Sequence, residues 1–225
     1  MPDVRPSEKE IAALNAQLEG LRSACERPMR CTLCRTRTKF VFGEGNPAAR
    51  LMFVGEGPGE QEDLSGRPFV GPAGQLLDKV LESVGFARSD VYITNVVKCR
   101  PPGNRTPTDQ EMAECGPILL EQIRIIRPKL IGMLGNVAKS FFLGKTAPGI
   151  TRCQGQFFDW KDGIQLQALY HPSFLLRNQQ RTVGSPKWQT WQSMKELRRR
   201  YDALAPGGML AAPPPATEPG QQSLF

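Results

Sequence analysis

The stretch Leu51-Met52-Phe53-Val54-Gly55-Glu56-Gly57-Pro58-Gly59-Glu60-Gln61-Glu62-Asp63 decides the fold class. Four consecutive apolar residues, Leu51 to Val54, have the length and pattern of a strand buried on both faces, as in a parallel sheet. The chain then breaks at Gly55, Gly57, Pro58 and Gly59 and presents four acidic or amide side chains. Parallel strands gather functional groups in the crevice beyond their carboxyl ends, which places a candidate site here. Glycine lets the backbone approach a ligand closely. A dinucleotide fingerprint fits poorly, because the glycines fall as G-x-G-x-G and Glu60 would repel a pyrophosphate. On these residues alone, a solvated acidic turn is the simpler reading.

Working outward, strands alternate with helices. Ser7 and Glu10 form a capping box for a helix over 7–24 that carries Ile11, Leu14, Leu18 and Leu21 on one face. Gly43 to Pro47 is a turn. Leu76, Leu77, Val80, Leu81 and Val84 predict a helix over 74–84 that stops at Gly85. Val91 to Val97 reads as a second strand, and Arg100 to Pro107 as an irregular Pro-rich loop. Thr108 and Glu111 cap a further helix that Pro117 should kink or restart. A third strand (130–134), a short helix (137–143), a fourth strand (164–169) and a basic helix from about Lys187 to Leu204 follow. This alternation predicts an α/β fold, a parallel sheet covered on both faces. Residues 206–220 are rich in Pro, Ala and Gly and predict a disordered tail.

The 225 residues suit one domain with trimmings: an N-terminal helix (1–27), a core domain (28–204) and the tail (205–225). A net charge of +7 favours a polyanionic partner. No apolar run approaches the ~18 residues that span a membrane, and no signal segment opens the chain, so a soluble, cytoplasmic protein is expected. In that compartment six cysteines imply metal, redox or plain buried thiols before disulfides. Cys31 and Cys34 make a C-x2-C pair, whereas Cys99 and Cys115 lie far downstream with fifteen residues between them. That is not the paired-knuckle spacing of a zinc ribbon, while four thiolates from two segments can hold an iron–sulfur cluster. Four unrelated thiols remain the alternative. Cys25 and Cys153 have no partner at ligand spacing.

Three further residues stand out. His171, the one histidine of the chain, follows the fourth strand and can face the same crevice as Glu56. Asn95 sits in or at the end of the second strand, where a buried amide is costly unless paired. Phe69 lies in Gly66-Arg67-Pro68-Phe69-Val70-Gly71, between the first strand and its helix. Each could equally be a core or structural residue.

Taken together, Gly55-Glu56-Gly57-Pro58-Gly59, Gly66 to Gly71, Thr94-Asn95-Val96-Val97-Lys98-Cys99-Arg100-Pro101-Pro102-Gly103-Asn104-Arg105 and His171-Pro172-Ser173-Phe174-Leu175-Leu176-Arg177 resemble family 4 uracil-DNA glycosylase. The resemblance spans roughly 28–200, with every motif in order. It implies a three-layer α/β/α architecture with a central four-stranded parallel sheet. It also implies a [4Fe-4S] cluster on Cys31, Cys34, Cys99 and Cys115, and hydrolysis of the N-glycosidic bond of uracil in single- or double-stranded DNA, starting base excision repair. Such an enzyme must flip its nucleotide out of the stack. By resemblance Phe69 stacks on the base, Asn95 reads O4 and N3–H, and His171 donates to O2. Leu175 serves as the wedge, and Arg177 and Arg181 hold phosphates.

Glu56, with Asn104 or Asp63 helping, is expected either to position the attacking water or to counter the oxocarbenium sugar; the alternative is that it only orders its loop through backbone hydrogen bonds. In the best-known relatives an aspartate does this one position on, where this chain has Gly57. Gly59 replaces the aromatic that blocks the thymine methyl, which leaves thymine exclusion to the neighbouring loop, Glu60 or Gln61. The final Gln221-Gln222-Ser223-Leu224-Phe225 resembles the bacterial sliding-clamp pentapeptide, with Gln221, Leu224 and Phe225 as its contacts. A monomeric, nucleoid-associated enzyme is the resulting expectation. The competing reading is a non-catalytic iron–sulfur module that binds uracil or single strands.

Overall fold

The computed structural model describes residues 6–26 and 31–204; the expected tail and its clamp pentapeptide lie outside the described residues. The sheet has six strands, β1 (Glu44–Gly45), β2 (Leu51–Gly55), β3 (Tyr92–Asn95), β4 (Leu130–Leu134), β5 (Phe157–Asp159) and β6 (Gln165–Leu169). Their order is β1-β3-β2-β4-β6-β5. The pairs β3–β2, β2–β4 and β4–β6 are parallel, whereas the short edge strands β1 and β5 pair antiparallel. The sheet is therefore mixed and wider than the four strands expected. The two additions are only two and three residues long, too short for a periodic signal. They cap the edges, which limits open pairing.

Every residue of β2 and β4 is buried, as their uninterrupted apolar runs require. Eight helices complete the described fold: α1 (Glu8–Glu26), α2 (Glu60–Ser65), α3 (Pro72–Glu82), α4 (Asp109–Ile126), α5 (Gly135–Leu143), α6 (Ile150–Cys153), α7 (Pro172–Arg177) and α8 (Pro186–Ala203). α3 begins two residues earlier than expected, because Pro72 presets the helical φ at its first turn. α4 runs through Pro117 as one helix. A Cβ on the preceding Gly116 would come within 2.7 Å of the Phe141 ring, so close packing against α5 holds that segment in place. α8 is anchored by the buried Arg198, which donates to Gly85 O at 2.7 Å and pairs with Asp202 at 2.9 Å. From β2 the chain passes to β3 on one side and then crosses to β4 on the other. That reversal puts the end of β2 at a topological switch point, where α/β folds bind ligands.

Candidate active site and metal centre

A cleft of about 590 Å³ opens at the carboxyl ends of β2, β3, β4 and β6. Its lining includes Glu56, Gly57, Phe69, Asn95, Asn104, Gly135, His171 and Arg177. Glu56 follows β2, Asn95 ends β3, Gly135 follows β4 and His171 stands two residues beyond β6. Four strands thus deliver four segments to one place.

Asn95 is 2% exposed, and its Oδ1 is buried with no partner. An unpaired acceptor of this kind is costly unless a ligand completes it. Gly55 makes the position possible, since a Cβ there would stand 2.4 Å from Asn95 Oδ1 and 2.5 Å from Phe69 Cζ. Phe69 is buried with φ +52, a conformation bulky side chains rarely adopt. Its loop is held from both sides. Glu62 accepts from Val70 N (2.9 Å), Gly71 N (2.8 Å) and Gly59 N (3.1 Å). Arg88 donates to Phe69 O (3.2 Å) and Pro68 O (2.5 Å) and is itself paired with Asp78 and Glu44. A strained residue persists only when its surroundings over-determine it, and these seven contacts do so.

The His171 ring lies 5.8 Å from that of Phe69. Its Nδ1 accepts from Ser173 N at 3.2 Å, which leaves the ring proton on Nε2. Burial, aided by Arg177, pushes its pKa down to about 4, so the imidazole is a neutral donor at pH 7. Glu56 is half-buried, its carboxyl is pushed above the ordinary range by burial, and the Thr106 hydroxyl hydrogen-bonds to it. A Cβ at Gly57 would meet Val97 Cγ2 at 2.6 Å, so this backbone admits no side chain there. Asn104 lines the cleft mouth, exposed, with its Oδ1 accepting from Arg100 at 2.7 Å.

Other expected site residues stand elsewhere. Gln61 is exposed and does not line the cleft. Leu175 is 1% exposed and belongs to the core, because α7 turns it inward; Phe174 and Leu176 are its half-buried neighbours. Arg177 is exposed at the cleft, and Arg181 lies off it, close enough to Lys187 to repel its charge. Asp63 is buried and accepts from Thr38 N at 2.9 Å, which fixes the chain behind the cysteine segment. Sequence reading missed Glu62 and Arg88. Glu62 carries a trace, an acidic residue in the third position of a helix after glycine; Arg88 carries none.

The four cysteines converge. Cys31 Sγ lies 3.1 Å from Cys34 Sγ, Cys34 Sγ lies 3.8 Å from Cys99 Sγ, and Cys115 contacts the Cys31 thiol. The first three place their sulfurs within 4.8 Å of one another, a spacing fit for a metal. Arg37 Nη1 donates to Cys99 Sγ at 3.3 Å. An all-sulfur donor set beside a cation fits either an iron–sulfur cluster or zinc. Lys98, fully buried, lies behind it. Burial pushes this ammonium down to about 7, against the upward pull of Cys115, Cys25 and Cys99 as thiolates.

An aromatic face, a buried amide and a neutral imidazole donor around one cleft have the shape and chemistry that suit a flat, uncharged heterocycle held by its edge. Residues 42–195 match the uracil DNA glycosylase superfamily. The chain belongs to that superfamily. It is 54% identical over 156 residues to the type-4 uracil-DNA glycosylase of Thermotoga maritima, covering 68% of this chain and 81% of the relative. The type-4 enzyme of Archaeoglobus fulgidus is 45% identical over 153 residues (65% and 77%). That of Sulfurisphaera tokodaii is 44% identical over 168 residues (72% and 76%).

Proposed function

We propose that the chain is a monofunctional uracil-DNA glycosylase that takes a flipped uracil into this cleft and hydrolyses its N-glycosidic bond. The unpartnered Oδ1 of Asn95 carries the reading. With the amide oxygen accepting N3–H and the amide nitrogen donating to O4, Asn95 complements uracil. Cytosine offers the opposite pattern at both atoms. Phe69, held in place before any ligand arrives, supplies the stacking face at little ordering cost.

The reaction adds water across the C1′–N1 bond. Uracil leaves with the bonding pair, hydroxide is delivered to C1′, and the water's proton goes to solvent or base. Negative charge therefore builds on the departing ring, and an Nε2–H from His171 to O2 is stronger in the transition state than in the ground state. A neutral donor suits this task, because it need not lose a proton to act. Glu56, with Asn104 at the cleft mouth, orients the water and offsets the positive sugar. Arg177 and Arg181 hold phosphates. The wedge expected of Leu175 falls instead to its half-buried neighbours on α7, Phe174 and Leu176.

Cys31, Cys34, Cys99 and Cys115 hold a [4Fe-4S] cluster, which when bound ties the segment before β1 to the loop 100–107 at the cleft mouth. Hydrolysis moves no electrons, so its role here is structural. Gln221, Leu224 and Phe225 tether the enzyme to a replication clamp, raising its effective concentration at DNA. Loss of clamp pull-down on deleting 221–225, with uracil release intact, tests the tether. Uracil release from an oligonucleotide, beside Asn95→Asp, tests the whole reading. The aspartate should shift recognition towards cytosine, and unchanged uracil specificity would contradict the role of Asn95.

A further inference from the structure

Lys98 has no part in the chemistry above, yet it is a large, fully buried cation. Its ammonium donates to Thr94 Oγ1 at 2.6 Å, Asn95 O at 2.7 Å and Gln122 Oε1 at 2.7 Å. Three N–H groups meet three acceptors, and every acceptor is neutral. Gln122 is locked in this orientation, because its Nε2 donates to Phe42 O (2.9 Å) and Tyr92 OH (3.2 Å). Among the described residues no carboxylate pairs with Lys98, and a buried cation without a counter-charge is strongly disfavoured. The ionisable groups that act on it are cysteines, Cys115, Cys25 and Cys99. Its own backbone N–H donates to Cys115 Sγ, and Cys99 is the next residue. Thiolates around a metal cluster carry net negative charge, so the occupied centre supplies the missing partner.

We propose that Lys98 is a positioning residue that couples the four-cysteine centre to the uracil-reading end of β3. Through its backbone N–H it touches Cys115; through its ammonium it grips the carbonyl of Asn95, the residue whose side chain reads the base. The peptide plane from which that amide projects is thus set by a cation whose burial depends on the centre behind it. This extends the glycosylase reading and rests on it. The sequence carries the trace: a lysine closing an apolar, β-branched run immediately before a ligand cysteine.

Two measurements on the cluster-loaded protein test the coupling. In a double-mutant cycle, Lys98→Met should slow uracil release roughly tenfold to a hundredfold, the loss expected for a buried charge-assisted hydrogen bond. It should slow release no further in the Asn95→Ala background. Effects that multiply, or a wild-type rate for Lys98→Met, would overturn the proposal. Separately, removing a cation beside the centre should move the cluster's reduction potential to a more negative value, which spectroscopic titration reads without any turnover; an unchanged potential would also overturn it. Should Lys98→Met fail to fold or to load, Thr94→Val removes one of the three acceptors and must show a smaller loss that is likewise absent beside Asn95→Ala. If the wild-type protein releases no uracil, the glycosylase reading fails first, and calorimetry with free uracil on the same four proteins decides the coupling alone.

Discussion

In the proposed reaction Asn95, Phe69 and His171 act through atoms that are prepared in advance. The amide oxygen of Asn95 is buried and unpaired, the ring of Phe69 is fixed at φ +52, and His171 is held as the Nε2–H tautomer by Ser173. Gly55 stands against two of these three, so Gly55→Ala should displace both and lower uracil release by at least roughly a hundredfold, with the fold retained in circular dichroism. A near-wild-type rate would mean that neither side chain is held as described. His171 also fixes a pH dependence. Its folded pKa of about 4 lies below the ordinary 6.5, so between those values the unfolded chain takes a proton that the folded one refuses. Stability should therefore fall as pH drops from 6.5 towards 4, while the neutral donor persists in the cleft. A single-turnover profile should show no inflection near 6.5 belonging to His171. An inflection there that vanishes in His171→Ala would refute the neutral-donor assignment.

At the scale of elements, the short helix α2 does more than cover the sheet. Its Glu62 gathers three backbone N–H groups from both ends of the loop that carries Phe69. Glu62→Ala orphans all three and should cost about 2–3 kcal/mol in urea unfolding, with uracil release weakened because Phe69 can relax from its strained φ. Equal stability and full activity would remove the clamp from the account. The strands and long helices were legible in the sequence because they are periodic or uninterrupted apolar runs: Leu51 to Val54, Leu130 to Leu134, the face of Leu76 to Leu81. α2, β1 and β5 were not, being too short to show a period, and their positions follow from tertiary partners such as Glu44 with Arg88. Residues brought to the cleft by strand ends, Asn95 and His171, could be singled out from sequence. Leu175 shows the limit. Its motif is intact, but whether a leucine on a six-residue helix faces DNA or the core depends on packing that no local pattern encodes.

For the molecule as a whole, one centre joins segments more than eighty residues apart. Cys31 and Cys34 precede the sheet, Cys99 follows β3 and Cys115 lies in α4, so the centre ties the chain's beginning to both walls of the cleft mouth. Metal-coupled sites contribute their binding energy to folding. With the proposed [4Fe-4S] cluster as that centre, Cys99→Ala should lose the brown colour of an iron–sulfur protein and lower the melting temperature, and chelation of the wild-type protein should do the same. Normal stability with full activity in Cys99→Ala would end the structural role. Whether the cleft reads uracil and breaks its glycosidic bond with a neutral histidine donor is decided by uracil release from a single-stranded oligonucleotide with one central U. A thymine control and the His171→Ala protein run alongside. Cleavage at U alone is expected, slowed roughly a hundredfold or more in His171→Ala. Tight uracil-dependent binding without release, or an unimpaired His171→Ala protein, would contradict it.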